Sequence, residues 1–300
     1  MRRLAGPGPL GLAVVALALG ACGGAGDPAP AGADPLVYGG ARPVRLQVPA
    51  SVEPGKTYPL VLLVHGYGAS GTLQQLYFGL GPSTLPGGAF LLAPDGTSDG
   101  SSRFWHANDV CCAFGPAQPD DVAYLGGLLD AVAAEWPIDP ARVLVLGHSN
   151  GAFMAYRLAC DRADRVTAIA GLAGAASSID GSGCAPAKPV SVLHLHGTAD
   201  QTVAYGGGML LPGGPAYPGA VASTEQWAAH DGCGTSWTAG AARDLVSTLA
   251  GAETATAAAG GCPAGVAVER WTMTGAPHVP ALTADFSAQV LGWLAEHPRP

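Results

Sequence analysis

Charged side chains are scarce in this chain of 300 residues. Asp, Glu, Lys and Arg together make up 12% of it, and only two residues are lysines. The formal net charge is −8, so we expect no nucleic-acid partner, because nucleic-acid phosphates attract basic surfaces. Hydrophobic residues make up 48% of the chain, which excludes a disordered protein and permits a large buried core.

Long apolar runs are also rare. The run Leu10 to Leu19 follows two arginines and is too short to span a bilayer, which is typical of a signal peptide. It ends at a sequence that resembles a bacterial lipobox, so we predict that Cys22 is lipidated. The alternative is ordinary cleavage just before Cys22, which would leave a free thiol. We therefore expect a lipoprotein signal peptide over residues 1–21, a flexible anchor linker over 22–35 and one folded domain over 36–300.

Cysteines number only seven. If Cys22 carries lipid, an even number remains, and an even number in an exported protein indicates disulfides. Cys233 and Cys262 flank a single excursion rich in Gly, Ala and Thr, and theirs is the disulfide that we predict. The sequence leaves the pairing of the other four open, and a buried free thiol is the alternative for each. Those four are Cys111, Cys112, Cys160 and Cys184.

Apolar runs bounded by turn residues alternate with helical patterns through the chain. The predicted strands are Val44 to Val48, Leu60 to Val64, Phe90 to Ala93, Val143 to Leu146, Val166 to Leu172, Val190 to Leu195 and Val266 to Met273. The predicted helices are Asp121 to Ala134, Gly151 to Arg162, Val221 to His230 and Phe286 to Glu296. This alternation predicts an α/β fold, with a mostly parallel sheet covered by helices on both faces.

Two segments match the G-x-S-x-G pattern that surrounds a reactive serine in many enzymes, namely Gly147 to Gly151 and Gly96 to Gly100. A chain with 45 glycines produces such matches by chance. Only Ser149 lies between a buried strand pattern and a helical pattern, whereas Ser98 continues into loop residues. We therefore predict Ser149 as a nucleophile. The alternative is a buried turn serine.

A serine hydroxyl becomes reactive when a positioned imidazole accepts its proton. Where the reactive serine lies between a strand and a helix, the acid and the base follow it along the chain, first Asp or Glu and then His. His278 lies in a loop just after the last predicted strand, and Asp200 lies in the turn after Val190 to Leu195. We predict His278 as base and Asp200 as supporting acid. The alternatives are a surface histidine and an aspartate that stabilises only its own turn.

Negative charge develops on the carbonyl oxygen when the serine attacks, and two backbone amides commonly stabilise it by hydrogen bonding. We predict the amides of Asn150, which follows the serine, and of Tyr67, in the glycine-rich loop after Leu60 to Val64. A plain glycine-rich turn is the alternative for the loop. Phe104 and Trp105 form an aromatic pair in an irregular segment, and we predict that they bind substrate, with loop packing as the alternative.

His194 and His196 share one face of a predicted strand, as two metal ligands can. No third ligand is apparent in the sequence nearby. Histidines that pack beneath a strand end are the commoner arrangement. We therefore predict neither a metal site nor a cofactor.

Several motifs occur together in one order along the chain. They are Ala93 to Thr97, Arg103 to Trp105, Cys111-Cys112, Asp120 to Val122, Gly147 to Cys160 and His196 to Asp200. Through them, residues 36 to 296 resemble the extracellular polyhydroxybutyrate depolymerase and feruloyl or acetylxylan esterase family. The chain is also similar to esterase lipoproteins of actinobacteria.

The resemblance implies an α/β-hydrolase fold and a triad of Ser149, His278 and Asp200. The chain departs from the family at Val279-Pro280, where members often carry an aromatic residue. The predicted function is hydrolysis of carboxylic esters of the polyhydroxyalkanoate-oligomer, feruloyl or acetyl-xylan type. We expect an exported monomer held to the cell envelope by lipid on Cys22. Two alternatives are a serine peptidase of the same fold and an inactive, lipid-anchored protein that binds glycans.

Overall fold

The computed structural model describes residues 34–176 and 183–299. The chain divides into two compact units, Met1–Asp34 and Pro35–Pro300, and the second contains the fold described below. Cys22, the predicted signal peptide and nearly all of the predicted linker lie outside the described residues. Within those residues, every helix is too short or too polar to cross a membrane.

The elements alternate along the chain much as the sequence predicts. The strands are β1 (Val37–Tyr38), β2 (Val44–Arg45), β3 (Tyr58–Val64), β4 (Phe90–Leu92), β5 (Thr97–Ser98), β6 (Arg103–Phe104), β7 (Ile138–His148), β8 (Ala168–Leu172), β9 (Ser191–Gly197), β10 (Gly207–Met209), β11 (Ala216–Pro218), β12 (Trp237–Ala239), β13 (Thr254–Ala259) and β14 (Val268–Met273). The helices are α1 (Gly71–Phe78), α2 (Asp121–Glu135), α3 (Asn150–Asp161), α4 (Ala220–His230) and α5 (Phe286–Glu296).

Eight of the described strands form one sheet in the order β12-β13-β14-β9-β8-β7-β3-β4. All neighbours from β14 to β4 are parallel, and β13 and β12 extend that edge in antiparallel pairing. The mostly parallel α/β architecture predicted from the sequence is therefore confirmed. The sequence did not reveal β12 and β13, because their Ala and Thr residues do not form an apolar run.

Alternate residues of the central strands enter two separate cores, as the period of a strand requires. In β3, Leu60, Leu62 and Val64 pack in the core beneath α2, α3 and α4. Val61 and Leu63 face the other side of the sheet and pack with residues of α1 and α5. Burying each such side chain stabilises the fold by roughly 1.5–3 kcal/mol, so both faces require covering helices.

Helix ends follow local side-chain chemistry. The Asp120 side chain caps α2 by accepting a hydrogen bond from the Ala123 amide at 2.9 Å, as expected for an aspartate at this position. The Ser70 side chain caps α1 in the same way, 3.2 Å from the Leu73 amide. The sequence did not predict α1, because the helix has only eight residues and Leu73 faces solvent.

The parallel strands bring their carboxyl ends to one edge of the sheet. Loops that leave these ends lie side by side, and this is where open α/β sheets hold their ligands. The loops after β3, β7, β9 and β14 carry, in that order, Tyr67, Ser149, Asp200 and His278. Residues far apart in sequence therefore meet at one edge.

Candidate active site

Ser149 occupies a sharp turn between β7 and α3. Its φ of 54° and ψ of −120° are uncommon for a residue with a side chain, and it is the N-cap residue of α3. Its amide donates a hydrogen bond to the Leu172 carbonyl of β8 at 2.8 Å. The turn thus lifts the hydroxyl out of the strand and above the edge of the sheet. Strained backbone of this kind is concentrated at functional sites.

Glycines on both sides of Ser149 allow this turn to pack. A Cβ at Gly147 would lie 2.2 Å from the Gly151 carbonyl oxygen, and a Cβ at Gly151 would lie 2.0 Å from the Val64 carbonyl oxygen. Both distances are far below van der Waals contact. The start of α3 therefore crosses the ends of β7 and β3 so closely that no side chain fits.

His278 lies in the loop that follows β14. Its Nε2 is 2.9 Å from the Ser149 hydroxyl oxygen, and its Nδ1 is 2.7 Å from Asp200 Oδ2. The His278 side chain is partly exposed, while that of Asp200 is fully buried. The structure therefore brings Ser149, His278 and Asp200 into one hydrogen-bonded series.

Asp200 is surrounded by hydrogen-bond donors. Its Oδ1 accepts from the amides of Thr202 and Val203 at 2.8 and 2.9 Å. Burial raises the pKa of Asp200, but hydrogen bonds from His196 and His278 lower it by more. The net pKa is therefore well below its usual value, and the carboxyl group stays ionised. An ionised carboxylate can only accept. His278 therefore carries its proton on Nδ1, and its Nε2 is free to accept the Ser149 proton.

The loop after β3, which contains Gly66 and Tyr67 and which we call the oxyanion loop, approaches the serine closely. A Cβ at Gly66 would lie 3.4 Å from Ser149 Cβ, which brings the neighbouring Tyr67 amide to the same edge. Among the described residues, neither the Tyr67 amide nor the Asn150 amide donates to a backbone or side-chain acceptor. Two unpaired amides beside a serine hydroxyl can stabilise an oxyanion.

The Asn150 side chain is buried and bound to the long loop that precedes α2. Its Oδ1 accepts from the Trp105 amide at 2.8 Å, and its Nδ2 donates to the Trp105 carbonyl at 2.9 Å. These two bonds hold the first residue of α3 against the loop. The Asn150 amide is thereby held in place by its own side chain.

Phe104 and Trp105 do not line an open surface, contrary to the substrate-binding role predicted for them. Only 2% of Phe104 and 0% of Trp105 is exposed. The Trp105 indole donates to the His65 carbonyl at 3.1 Å, and its backbone is bound to Asn150. Their burial favours the alternative of loop packing, because this loop folds inward. Both residues are buried, and Trp105 packs beneath the oxyanion loop.

The open aromatic surface is formed by Tyr67 and Phe114 instead. Their side chains are 43% and 46% exposed, and their ring centroids lie 5.8 Å apart. Phe114 was not predicted from the sequence, although an aromatic residue in a loop rich in Gly and Pro was a usable signal. Tyr67 joins this surface to the serine turn, because its amide is one of the two unpaired donors.

His148 is a second residue that the sequence did not single out. It lies under the site, and its Nε2 is 3.0 Å from the His278 carbonyl oxygen, to which it donates. Burial lowers the pKa of His148 to about 4, so the ring is neutral at ordinary pH. A neutral ring with one N–H can hold the His278 loop without adding charge beside the base.

Ser98, in the second G-x-S-x-G match, has a different environment. It is exposed in β5, and its hydroxyl accepts a hydrogen bond from the Gly100 amide at 3.2 Å. The segment is joined to the oxyanion loop by one contact, in which the Gly96 amide donates to His65 Nε2 at 2.9 Å.

The cysteines of the described residues form three disulfides. Cys233 is joined to Cys262, the pair that the sequence predicts. The two pairings that the sequence left open are Cys111 with Cys112 and Cys160 with Cys184.

His194 and His196 bind each other, with 3.1 Å between Nε2 of the first and Nδ1 of the second. No group of three or more His, Cys, Asp or Glu side chains in the described parts of the chain is arranged to hold a metal ion.

Sequence comparisons place the chain among esterases. Residues 37–252 match the profile of the protein family described as "Putative esterase", a range that includes Ser149 and Asp200 and ends before His278. "Feruloyl esterase B" of Piromyces equi is 27% identical over 197 residues, which are 64% of this chain and 36% of that protein. "Feruloyl esterase D" of Neurospora crassa is 30% identical over 178 residues, 55% of each protein. The chain therefore spans about a third to a half of these relatives.

The fold also matches solved structures. An acetyl xylan esterase from Aspergillus awamori superposes with a TM-score of 0.53 at 14% identity, over 85% of this chain and 94% of that one. A likeness at this identity concerns the fold alone. It confirms the α/β-hydrolase fold that the sequence predicts.

Proposed function

Because this chain belongs to the family described as "Putative esterase", we propose that it hydrolyses carboxylic esters through an acyl-enzyme formed on Ser149. The observation that carries the proposal is the series from Ser149 to His278 and Asp200, with hydrogen bonds of 2.9 and 2.7 Å. No other serine of the described residues has a histidine within hydrogen-bonding distance of its hydroxyl.

In the first step, His278 Nε2 accepts the hydroxyl proton as Ser149 Oγ attacks the ester carbonyl. Negative charge collects on the carbonyl oxygen, where the amides of Tyr67 and Asn150 stabilise it. Removing one such donor from an enzyme costs roughly 3–4 kcal/mol of activation energy. Asp200 stabilises the positive charge on His278 and keeps the ring oriented.

In the second step, His278 donates its proton to the leaving alcohol, and the acyl group stays on Ser149. Water then enters, gives a proton to His278 Nε2 and attacks the acyl carbon. Collapse of this intermediate releases the acid and returns the proton to Ser149. All proton transfers use one ring nitrogen, which agrees with the single hydrogen bond from Nε2 to the serine.

The substrate is an ester of the feruloyl, acetyl-xylan or polyhydroxyalkanoate-oligomer type. The names of the sequence relatives support the first of these classes. The exposed pair of Tyr67 and Phe114 is the surface that receives the acyl or alcohol part, because aromatic rings bind planar and apolar groups well.

Export to an oxidising compartment is part of the proposal. Three disulfides among the described residues support it, since such bonds persist outside the cytosol. Lipid on Cys22 then ties the monomeric enzyme to the envelope. Radiolabelled palmitate should enter the full chain and should not enter its Cys22→Ser variant. Equal labelling of the two would contradict the anchor.

The test of the activity uses the purified full-length chain with p-nitrophenyl acetate, p-nitrophenyl butyrate and methyl ferulate. We expect hydrolysis that falls about 10⁴- to 10⁶-fold in Ser149→Ala. The matched control is Ser98→Ala, which removes the same atom from the other G-x-S-x-G segment and should keep full activity. A folded parent that leaves all three esters intact, or an active Ser149→Ala, would overturn the proposal. Cleavage of peptides in place of esters would favour a serine peptidase.

A further inference from the structure

Three buried side chains, Tyr156, His194 and His196, form a continuous row of hydrogen bonds behind Asp200, which we call the file. The Tyr156 hydroxyl is 2.9 Å from His194 Nδ1, and His194 Nε2 is 3.1 Å from His196 Nδ1. His196 Nε2 then lies 2.7 Å from the Val203 carbonyl oxygen and 3.3 Å from Asp200 Oδ2. Tyr156, His194 and His196 are almost completely inaccessible to solvent. The catalytic steps described above use none of the three.

The acceptor at one end determines where every proton lies. A carbonyl oxygen can only accept, so His196 carries a hydrogen on Nε2 and donates it to Val203. In the neutral ring Nδ1 is then an acceptor, which places a hydrogen on His194 Nε2. His194 Nδ1 is in turn an acceptor, and the Tyr156 hydroxyl donates to it. With both rings neutral, every polar atom in the file is satisfied.

Two imidazole rings therefore approach the same oxygen of Asp200. His278 Nδ1 is 2.7 Å from Oδ2, and His196 Nε2 is 3.3 Å from it. A carboxylate attracts a proton onto either neighbouring ring. Of these two rings, only His278 touches Ser149. A positive charge on His196 would therefore reduce the stabilisation that Asp200 gives to positive charge on His278.

Protonation of His196 would break the file. A cationic ring carries hydrogens on both nitrogens, so His196 Nδ1 would have to donate to His194 Nε2. The remaining hydrogen of His194 would then lie on Nδ1 and face the Tyr156 hydroxyl. That hydroxyl would have to turn its own hydrogen away, and no other acceptor lies beside it among the described residues. Unpaired polar atoms in a buried site are unfavourable.

We propose that Tyr156 and His194 hold His196 in its neutral form, so that Asp200 stabilises positive charge on His278 alone. This proposal rests on the triad described under the proposed function. It makes His196 a positioning residue, which binds the carboxylate of Asp200 and the Val203 carbonyl at the two ends of the acid turn. Tyr156 and His194 act through it.

The other groups around the file agree with this assignment. The Tyr205 ring packs against His196, and Arg270 of β14 lies beside His194 in the sheet. Burial lowers the pKa of His194 well below its usual value, and the positive charge of the nearby Arg270 lowers it further. A positive charge is therefore disfavoured on the ring that must donate to His196.

The first test is imidazole ¹⁵N NMR on the full-length chain near neutral pH. In the parent, we expect His196 with a hydrogen on Nε2 and a bare Nδ1. In Tyr156→Phe, His194 loses the donor that holds its tautomer, and His196 Nδ1 should gain hydrogen. The matched control is Tyr58→Phe, a buried tyrosine whose hydroxyl accepts from the Glu53 amide away from the file. A parent protonated on His196 Nδ1, or a Tyr156→Phe spectrum equal to that of the parent, would overturn the proposal.

The second test is steady-state kinetics. Tyr156→Phe and His196→Leu should lower kcat about tenfold or more with KM unchanged, because ester binding does not involve the file. His196→Gln keeps an N–H near the position of Nε2 and should recover most of the lost kcat. Equal losses in His196→Leu and His196→Gln at equal melting temperatures would contradict a role for this donor. Ser149→Ala tests the esterase activity separately, and the NMR result does not depend on activity.

Discussion

The segments Gly147 to Gly151 and Gly96 to Gly100 share one sequence pattern and have different structures. Ser149 follows the eleven-residue strand β7, precedes α3, and meets His278. Ser98 belongs to the two-residue strand β5, which pairs with β6 in a small hairpin, and is exposed. The pattern alone therefore does not specify a reactive serine. A buried strand and a following helix must hold it at the edge of the sheet.

The largest expected difference between the segments concerns their acidic partners. Asp200→Asn should lower kcat about 10⁴-fold, because an amide in place of the carboxylate favours the wrong tautomer of His278. In the second segment, the Asp99 carboxylate accepts hydrogen bonds from the Ser101 and Ser102 amides and the Ser101 hydroxyl, all in its own turn, so Asp99→Asn should leave kcat unchanged. Ester hydrolysis measures both. An active Asp200→Asn, or a large loss in Asp99→Asn, would remove the distinction.

The final glycine of each segment gives the next contrast. Gly151→Ala places a Cβ 2.0 Å from the Val64 carbonyl oxygen, so the end of β3 must move. We expect about a 100-fold loss of kcat/KM, since small displacements in active sites have effects of that size. A Cβ at Gly100 meets open space but requires φ near +94°. Gly100→Ala should lose about 1–2 kcal/mol of stability and keep its kcat/KM.

Trp105 connects the loop of the second segment to the oxyanion loop of the first. Trp105→Phe removes the indole donor to the His65 carbonyl. We expect it to lose about 1 kcal/mol of stability and about tenfold in kcat, because the Tyr67 amide lies two residues beyond His65. Trp136→Phe is the control, since it removes an indole donor to the Tyr38 hydroxyl. Its stability should fall by a similar amount and its kcat should not change.

The smallest expected effect on activity concerns His148, the residue before Ser149, where the change is in stability at acid pH. Its pKa is about 4 in the folded chain and about 6.5 when unfolded, so below pH 6.5 the unfolded chain binds the extra proton. His148 therefore lowers stability as the pH falls from about 6.5 to about 4. His148→Gln should reduce that loss by a few degrees of melting temperature. Thermal melts at several pH values measure it, and parallel curves for parent and variant would contradict it.

Much of the site follows from chain order. Ser149, Asp200 and His278 each follow a predicted strand, and parallel strands bring such residues to one edge of the sheet. The sequence therefore indicates their proximity, although their chemical roles stay predictions. It could not indicate the depth of a loop. Trp105 was predicted to contact substrate and is buried, because the backbone bonds with Asn150 draw the loop inward.

The supporting residues lay beyond sequence reasoning for a related reason. His148 acts through a hydrogen bond to the His278 carbonyl, and His196 acts through its contacts with the Val203 carbonyl and the Asp200 carboxylate. Such individual contacts leave no periodic pattern in a sequence. The antiparallel edge was missed because β12 and β13 are rich in Ala and Thr. A periodic pattern of buried residues can be recognised in a sequence, whereas individual polar contacts are seen only in the three-dimensional structure.

The disulfide between Cys233 and Cys262 has a practical consequence for protein engineering. The bridged excursion contains β12 and β13, at the edge of the sheet, while the serine, the acid and the base leave strands nearer its centre. The disulfide closes the excursion at its base, but residues 245–253 of the excursion contact the loop that carries His278, where the Ser247 amide donates to the Ala281 carbonyl at 2.8 Å. A reporter or a carbohydrate-binding module is therefore better grafted beside the disulfide than within residues 245–253, because an insert there would displace the loop of the base.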